Sequence, residues 1–389
     1  MGTRLNQADN ALVFSIVLQA LAAQPLPDGP GAAITSSPDR LRNRYPMPSM
    51  QKLQTLVLLL VAYAAATWIP GPGLHIRQWN LLGLSINPPE VLLAGLLFSA
   101  GLCSTHGAVR TILADRQRLL VSALAAWLIP LVAATMAVAG LWGVAGCPPQ
   151  VALGIIIVAA MPVANSSVGW ATAMGGSVTL SIALLVVGTA FSPLLTPLAI
   201  GAGAISLRTA EHALMHTPWS DGMGAFFLTW VLIPVLLGVI TASQLPQWIL
   251  GQVVPWSRRV SFVILILLNY LNGVPCLPAL AEQPGLLKWP VLAASCLLLL
   301  SFVASLALHR WPRGALRWAA PEPPQQVSVM LSVVMRNTGA ALVFAGAALP
   351  EFVSVSLTII AYTMLQHLWA GTCVTRNSRG LLAHVQTPP

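Results

Sequence analysis

An arginine stands inside the apolar run "SVVMRNTGAALVFAG", residues 332–346, with Asn337, Thr338 and Gly339 directly behind it. An ionised side chain in the middle of a bilayer is costly and is a functional candidate by default, so Arg336 must be answered by acceptors. No apolar run carries an Asp or Glu at its middle. Glu90 and Glu351 sit at run ends, and the other acids fall in loops or tails. Without a carboxylate, the expected acceptors are backbone carbonyls at the end of the first half of that run, or an anionic substrate. A guanidinium keeps its charge and offers five donors, so it can serve both. A second polar cluster, Asn165, Ser166 and Ser167, interrupts "MPVANSSVGWATAMGG" (161–176) behind Pro162. The bland reading has Ser and Thr bonding back to their own helix, Asn acting as interhelical glue and Arg snorkelling to an interface. Two clusters at matching places, one of them charged, favour a binding site.

The elements that must position these clusters are membrane helices. The chain is 56% hydrophobic and 7% charged, against roughly 25% charged in an ordinary soluble domain. Runs of about 18 or more apolar residues read as transmembrane helices. Ten spans are expected, near 53–69, 88–104, 119–141, 150–174, 177–200, 223–242, 259–279, 288–309, 326–349 and 352–374. Several carry internal proline, as in "LIPLVAA" (128–134) and "LIPVLLG" (232–238), which neighbouring helices can accommodate. The polar clusters interrupt the fourth and ninth spans, the fourth of each successive set of five. An odd number of spans per set makes the second set run inverted. The fold expected is an all-α polytopic membrane protein of two inverted five-helix repeats, with broken, crossing fourth and ninth helices. Interrupted spans at matching places in inverted halves point to a transporter's midplane site. Half-helices beginning near Ser166 and Thr338 would offer amide N–H groups to an anion.

With the N-terminus inside, the cytoplasmic segments hold 15 Lys and Arg and the external loops hold Arg77, Arg208 and Lys288. This asymmetry places both termini in the cytoplasm, in the cell (inner) membrane, and accounts for the net charge of +9 without nucleic acid. The repeats occupy 51–205 and 223–375, joined by an external loop at 206–222 and followed by a cytoplasmic tail at 376–389. Residues 1–50 are read as an N-terminal extension, a disordered tail or a misassigned start. A signal segment is the alternative, and it would carry Arg40, Arg42 and Arg44 outside. The five cysteines are dispersed, with no metal-ligand spacing and no disulfide framework, so no metal and no cofactor are expected. Oligomeric state is not legible here. An intramembrane enzyme lacks a carboxylate pair, a metal cluster or a Ser–His pairing with an orienting acid.

The stretches "GLLFSAGL" (95–102), "LIPLVAATMAVA" (128–139), "MPVANSSVGWATAMGGSVTLS" (161–181), "SPLLTP" (192–197), "MRNTGAALV" (335–343) and "LQHLWAG" (365–371) together resemble the bile acid:sodium symporter family. The resemblance implies a mobile core of spans three to five and eight to ten against a panel of spans one, two, six and seven. It implies alternating-access transport of organic anions across the bilayer, with Asn165 and Asn337 bonding the substrate at the two breaks. His367 falls on a family histidine, although Leu368 stands where an asparagine usually follows. Ser167 and Ser181 match family sodium ligands. Ser332 and Arg336 replace the family's glutamate and glutamine, Val168 and Leu185 replace an asparagine and a threonine, and Ala125 replaces a glutamine. Too few oxygens remain for two complete sodium sites, which leaves facilitated flux, exchange or proton coupling open beside sodium. The Arg336 guanidinium is expected to take the place of a sodium ion as a tethered charge. Arsenite permeases of the wider superfamily carry a cysteine at the fourth-span crossing, where this chain has Asn165 to Ser167. The reading is a secondary transporter of small carboxylates or sulfonates; the alternative is a non-transporting sensor on the same fold. His367 has the unperturbed pKa for a proton role, but a buried hydrogen-bonding role is sufficient.

Overall fold

The computed structural model describes residues 49–79, 87–103, 116–206, 223–310 and 322–377. Nearly all of the expected N-terminal extension, connecting loop and C-terminal tail lie outside the described residues. Within them the chain is helical, with a single isolated β-bridge. In chain order the helices are α1 (Ser49–Trp68), α2 (Pro70–Arg77), α3 (Pro88–Cys103), α4 (Arg116–Ala145), α5 (Pro149–Ala160), α6 (Ser166–Ala173) and α7 (Val178–Ser206). Then follow α8 (Met223–Gln244), α9 (Gln247–Gly273), α10 (Pro278–Glu282), α11 (Lys288–Arg310), α12 (Pro323–Val334), α13 (Thr338–Ala348) and α14 (Val353–Asn377). Among the described residues, six helices are long and apolar enough to cross a membrane, and a seventh if α1 and α2, bent by 87°, count as one. The protein is a membrane protein with several transmembrane helices.

The runs expected at 150–174 and 326–349 are each split in two, at the polar clusters. Pro162 explains the first break. Met161 takes ψ 151°, the extended conformation that a following proline imposes. The second break has no proline. It is held by capping, since the Asn337 side chain accepts from the Ala340 amide at 3.1 Å and starts α13. Helix α5 is buried on every face from Val151 to Ala160, as befits an apolar helix at the centre of a bundle.

Internal prolines free carbonyls four residues back. Pro193 frees the Thr189 carbonyl, which the Ser192 hydroxyl meets at 2.8 Å. Pro234 follows a π-helical turn over Phe227–Leu232, which widens the helix where the ring would collide. Pro130 frees the Ala126 carbonyl in α4. Helices α3 and α8 cross so closely that a Cβ on Gly101 would lie 2.2 Å from the Val235 carbonyl oxygen, and one on Gly238 2.1 Å from that of Phe98. Small residues make this approach possible. The bend after α1 is pinned by Tyr270 of α9, whose hydroxyl donates to the Ile69 carbonyl at 2.8 Å and accepts from the Gly73 amide at 3.0 Å.

Candidate functional site: the crossing of two broken helices

The two breaks meet as a short antiparallel bridge between Val163 and Arg336. The Ala164 amide donates to the Met335 carbonyl at 3.0 Å, and the Asn337 amide to the Pro162 carbonyl at 2.9 Å. Two helices therefore end, and two begin, around one point. Carbonyls at the ends of α5 and α12 present negative partial charge there.

Arg336 answers that charge. Its side chain is 0% exposed. Nη1 donates to the Ala126 carbonyl at 2.8 Å and to the Ser332 carbonyl at 3.3 Å. Nη2 donates to the Ala159 carbonyl at 3.1 Å and to the Met161 carbonyl. The guanidinium carbon lies 5.8 Å from the centre of the Trp127 ring, within cation–π range. The expected source of acceptors, the end of the ninth run's first half, supplies only Ser332. Two others come from the end of α5 and one from α4, because the side chain turns back across the bridge. The α4 acceptor is the carbonyl that Pro130 frees, so a proline in the third span and an arginine in the ninth form one arrangement.

The other carbonyls at the breaks are answered as well. The Thr196 hydroxyl meets Ala160 at 2.9 Å and the Tyr362 hydroxyl meets Val334 at 2.6 Å. Gln366, 1% exposed, accepts from the Arg336 amide at 3.0 Å and donates at 3.3 Å to the Arg336 carbonyl and to the Thr338 hydroxyl. Tyr362 and Gln366 are one turn apart on α14 and so share a face. Sequence reasoning passed over both. The usable signal was an amide side chain within an apolar run, directly before the histidine that drew attention.

Helices α6 and α13 begin at Ser166 and Thr338, as expected, but most amides there are bonded internally. Ser167 and Val168 donate to the carbonyls of Ala164 and Asn165, at 3.0 and 3.3 Å. Thr338 donates to that of Arg336 at 2.8 Å, and Ala341 to that of Asn337 at 3.1 Å. Amide N–H groups alone therefore do not make an anion site there. Unpartnered side-chain atoms remain: Asn165 Oδ1, Ser167 Oγ, Ser181 Oγ, His367 Nδ1 and Arg336 Nε are buried without a hydrogen bond. Burying such groups costs about 1–3 kcal/mol each, so they are places for a ligand or a water. Asn165, Ser166 and Gly339 are half-buried, whereas Asn337, Thr338 and His367 are buried. His367 stands beside Trp170 of α6, with ring centres 6.4 Å apart, and makes no hydrogen bond to the other predicted residues.

As sodium ligands the residues divide. The Ser167 and Ser181 hydroxyls are fully buried and free to coordinate. The Ser332 hydroxyl is committed to the Ser328 carbonyl at 2.8 Å, and the Ser332 carbonyl to Arg336. Two hydroxyls fall short of the oxygen set a hard cation needs. A cavity of about 190 Å³ beside α4, α5 and α7, lined by residues such as Leu131, Ile156 and Ala199, touches neither break.

Comparison with known proteins bears on this geometry. The chain is similar to the "P3 protein" of Mus musculus, 30% identical over 205 residues, which is 50% of this chain and 41% of that protein. It is similar also to the "P3 protein" of Homo sapiens, 31% identical over 205 residues and 40% of its length. The matched region thus spans about two-fifths of the curated relatives' length. The model of the Sodium Bile acid symporter family matches residues 90–274, which include the fourth-span break and Pro130 but stop short of Arg336. Over residues 90–274, this chain is similar to the Sodium Bile acid symporter family.

Proposed function

We propose that the protein is a secondary transporter of small organic anions, carboxylates or sulfonates, that works by alternating access without sodium. In this reading the helices form ten spans in two inverted five-helix repeats, with both termini on the cytoplasmic side of the cell membrane. The split runs at corresponding places in the two sets of five, and the excess of Lys and Arg on one side, support it. The substrate would lie at the crossing, bonded by Asn165 and Asn337, with Ser166, Ser167, Thr338, Gly339 and His367 around it.

The observation that carries the reading is the fully buried Arg336 spread over carbonyls of three helices at the bridge. All four of its terminal N–H donors face carbonyls and only Nε–H is left without a partner, so its part in anion binding is chiefly its charge. It occupies the electrostatic role of a bound cation. A second reading, a non-transporting sensor, is favoured by the same substitution, since fixing the cation removes ion coupling.

The test uses purified protein in proteoliposomes. Labelled carboxylates and sulfonates that stabilise the protein thermally are followed for uptake in sodium and in potassium buffers. Equal uptake in both is expected. Binding without uptake would establish the sensor, and uptake only in sodium would overturn the role given to Arg336.

A further inference from the structure

Away from the crossing, a second group of polar atoms lies where the ends of α9, α13 and α14 meet α2. A cavity of about 40 Å³ is bounded by Arg77, Asn272, Leu342, Gly346, Val353 and Ser356. Asn272 is only 5% exposed, and both its amide atoms, Nδ2 and Oδ1, are buried without a partner. Because both are free, either orientation of the amide presents an unused N–H₂ group. Arg77 spends Nη1 on the Leu271 carbonyl at 3.2 Å. Its Nη2 lies against Gly346, 3.3 Å from where a Cβ would stand there. Helix α14 starts at Val353, and its 25 residues direct the positive end of its dipole toward the same space.

Among the described residues no acid forms an ion pair with the Arg77 guanidinium, although Glu90 offsets part of its charge. Glu90 influences Arg77 electrostatically, but its carboxylate accepts from the Asn87 amide at 3.1 Å and forms no ion pair with Arg77 among the described residues. Glu351, next to Pro350 on the cavity wall, is exposed. A guanidinium, an unsatisfied amide and a helix N-terminus thus converge on a space with room for about three water-sized centres. That volume excludes a carboxylate of substrate size.

We infer that this cavity binds a small inorganic anion of the size of chloride, held between Arg77 and Asn272. The anion would join α2 and α9 to the α13–α14 connection. Its binding does not depend on the transport reading.

The full chain in detergent tests the inference, and Asn165→Ala controls for gluconate, itself a carboxylate, at the crossing. Its unfolding midpoint is measured at constant ionic strength as potassium gluconate, too large for the cavity, is replaced by potassium chloride or bromide. Chloride at about 100 times its Kd is expected to raise the midpoint saturably, on the order of 5 °C, and bromide to do the same. Arg77→Gln and Asn272→Leu are expected to abolish that rise, while Arg77→Gln keeps any stabilisation by an organic anion at the crossing. Asn165→Ala should show the reverse pattern. A wild-type midpoint indifferent to chloride and bromide would mean that water alone fills the cavity, and would overturn the inference even if the variants fail to fold. A chloride response that survives Arg77→Gln would overturn it too.

Discussion

Replacing Arg336 with methionine keeps most of the side-chain length but removes the charge and all five donors. The carbonyls of Ala126, Ser332, Ala159 and Met161 then lose their donor inside the bundle. At about 1–3 kcal/mol for each unpaired buried acceptor, the loss approaches 8 kcal/mol. Against it stands the desolvation of the guanidinium, several kcal/mol, which the variant no longer bears. The net destabilisation expected is about 3–5 kcal/mol, the usual cost of removing one partner from a buried charged set. At about 2 °C per kcal/mol for a domain of this size, the midpoint should fall by about 6–10 °C. Arg336→Gln keeps an amide donor and should lose about half as much.

Charge makes a separate prediction. At an effective dielectric constant near 20, a unit charge about 8 Å from a bound carboxylate contributes about 2 kcal/mol, or about 30-fold in Kd. Arg336→Gln should weaken anion binding by that factor equally in sodium and potassium. Arg336→Lys should retain most of the affinity while losing stability, because a point charge cannot span four carbonyls. Thermal midpoints and anion titrations on the same preparations measure both effects. A methionine variant as stable as wild type, or a glutamine variant with unchanged affinity, would refute the reasoning.

Pro130→Ala restores an amide that competes with Arg336 for the Ala126 carbonyl. Anion affinity should fall several-fold although the helix itself is improved, and an unchanged titration would separate Pro130 from the site. Gln366→Leu strips the Arg336 amide and the Thr338 hydroxyl of their partner and should lower stability by about 1–3 kcal/mol, read as a thermal midpoint. Gly238→Ala places a methyl group 2.1 Å from the Phe98 carbonyl oxygen. It should cost about 1–3 kcal/mol through overpacking of α3 against α8, whereas Gly251→Ala, with open space around it, should not.

Hydropathy carries long-range information only where one solvent dominates, and here it marks most helices well; α9 is the exception, starting at Gln247 rather than near 259, so that Arg258 and Arg259 stand within it. The ends of α3, α4 and α8 fall within a few residues of the runs read from composition. Both breaks were legible because Asn165–Ser167 and Arg336–Gly339 interrupt otherwise apolar segments. The acceptors of Arg336 were not, since backbone carbonyls are alike in every residue and their availability depends on which helices end nearby. Ala126 is the exception, because Pro130 announces an unpaired carbonyl four residues before it. The role of Gln366 was hidden for a different reason. A buried amide on a helix reads as generic glue until its partner is known, and that partner lies 30 residues away in the chain at Arg336.

A cation that is part of the chain differs from one that binds. A sodium ion held by the same carbonyls could enter from one side and leave on the other, so its gradient could drive substrate uphill. Arg336 supplies equivalent charge compensation to α5 and α12 yet cannot dissociate, so it offers no ion gradient of its own to drive the anion. By linkage, a group bound equally in both states shifts neither. In the proposed reading the guanidinium stabilises the crossing and a bound anion, while leaving direction to the anion gradient itself. Net flux in this reading runs downhill or by exchange, and reversing the substrate gradient across a proteoliposome should reverse it with equal ease.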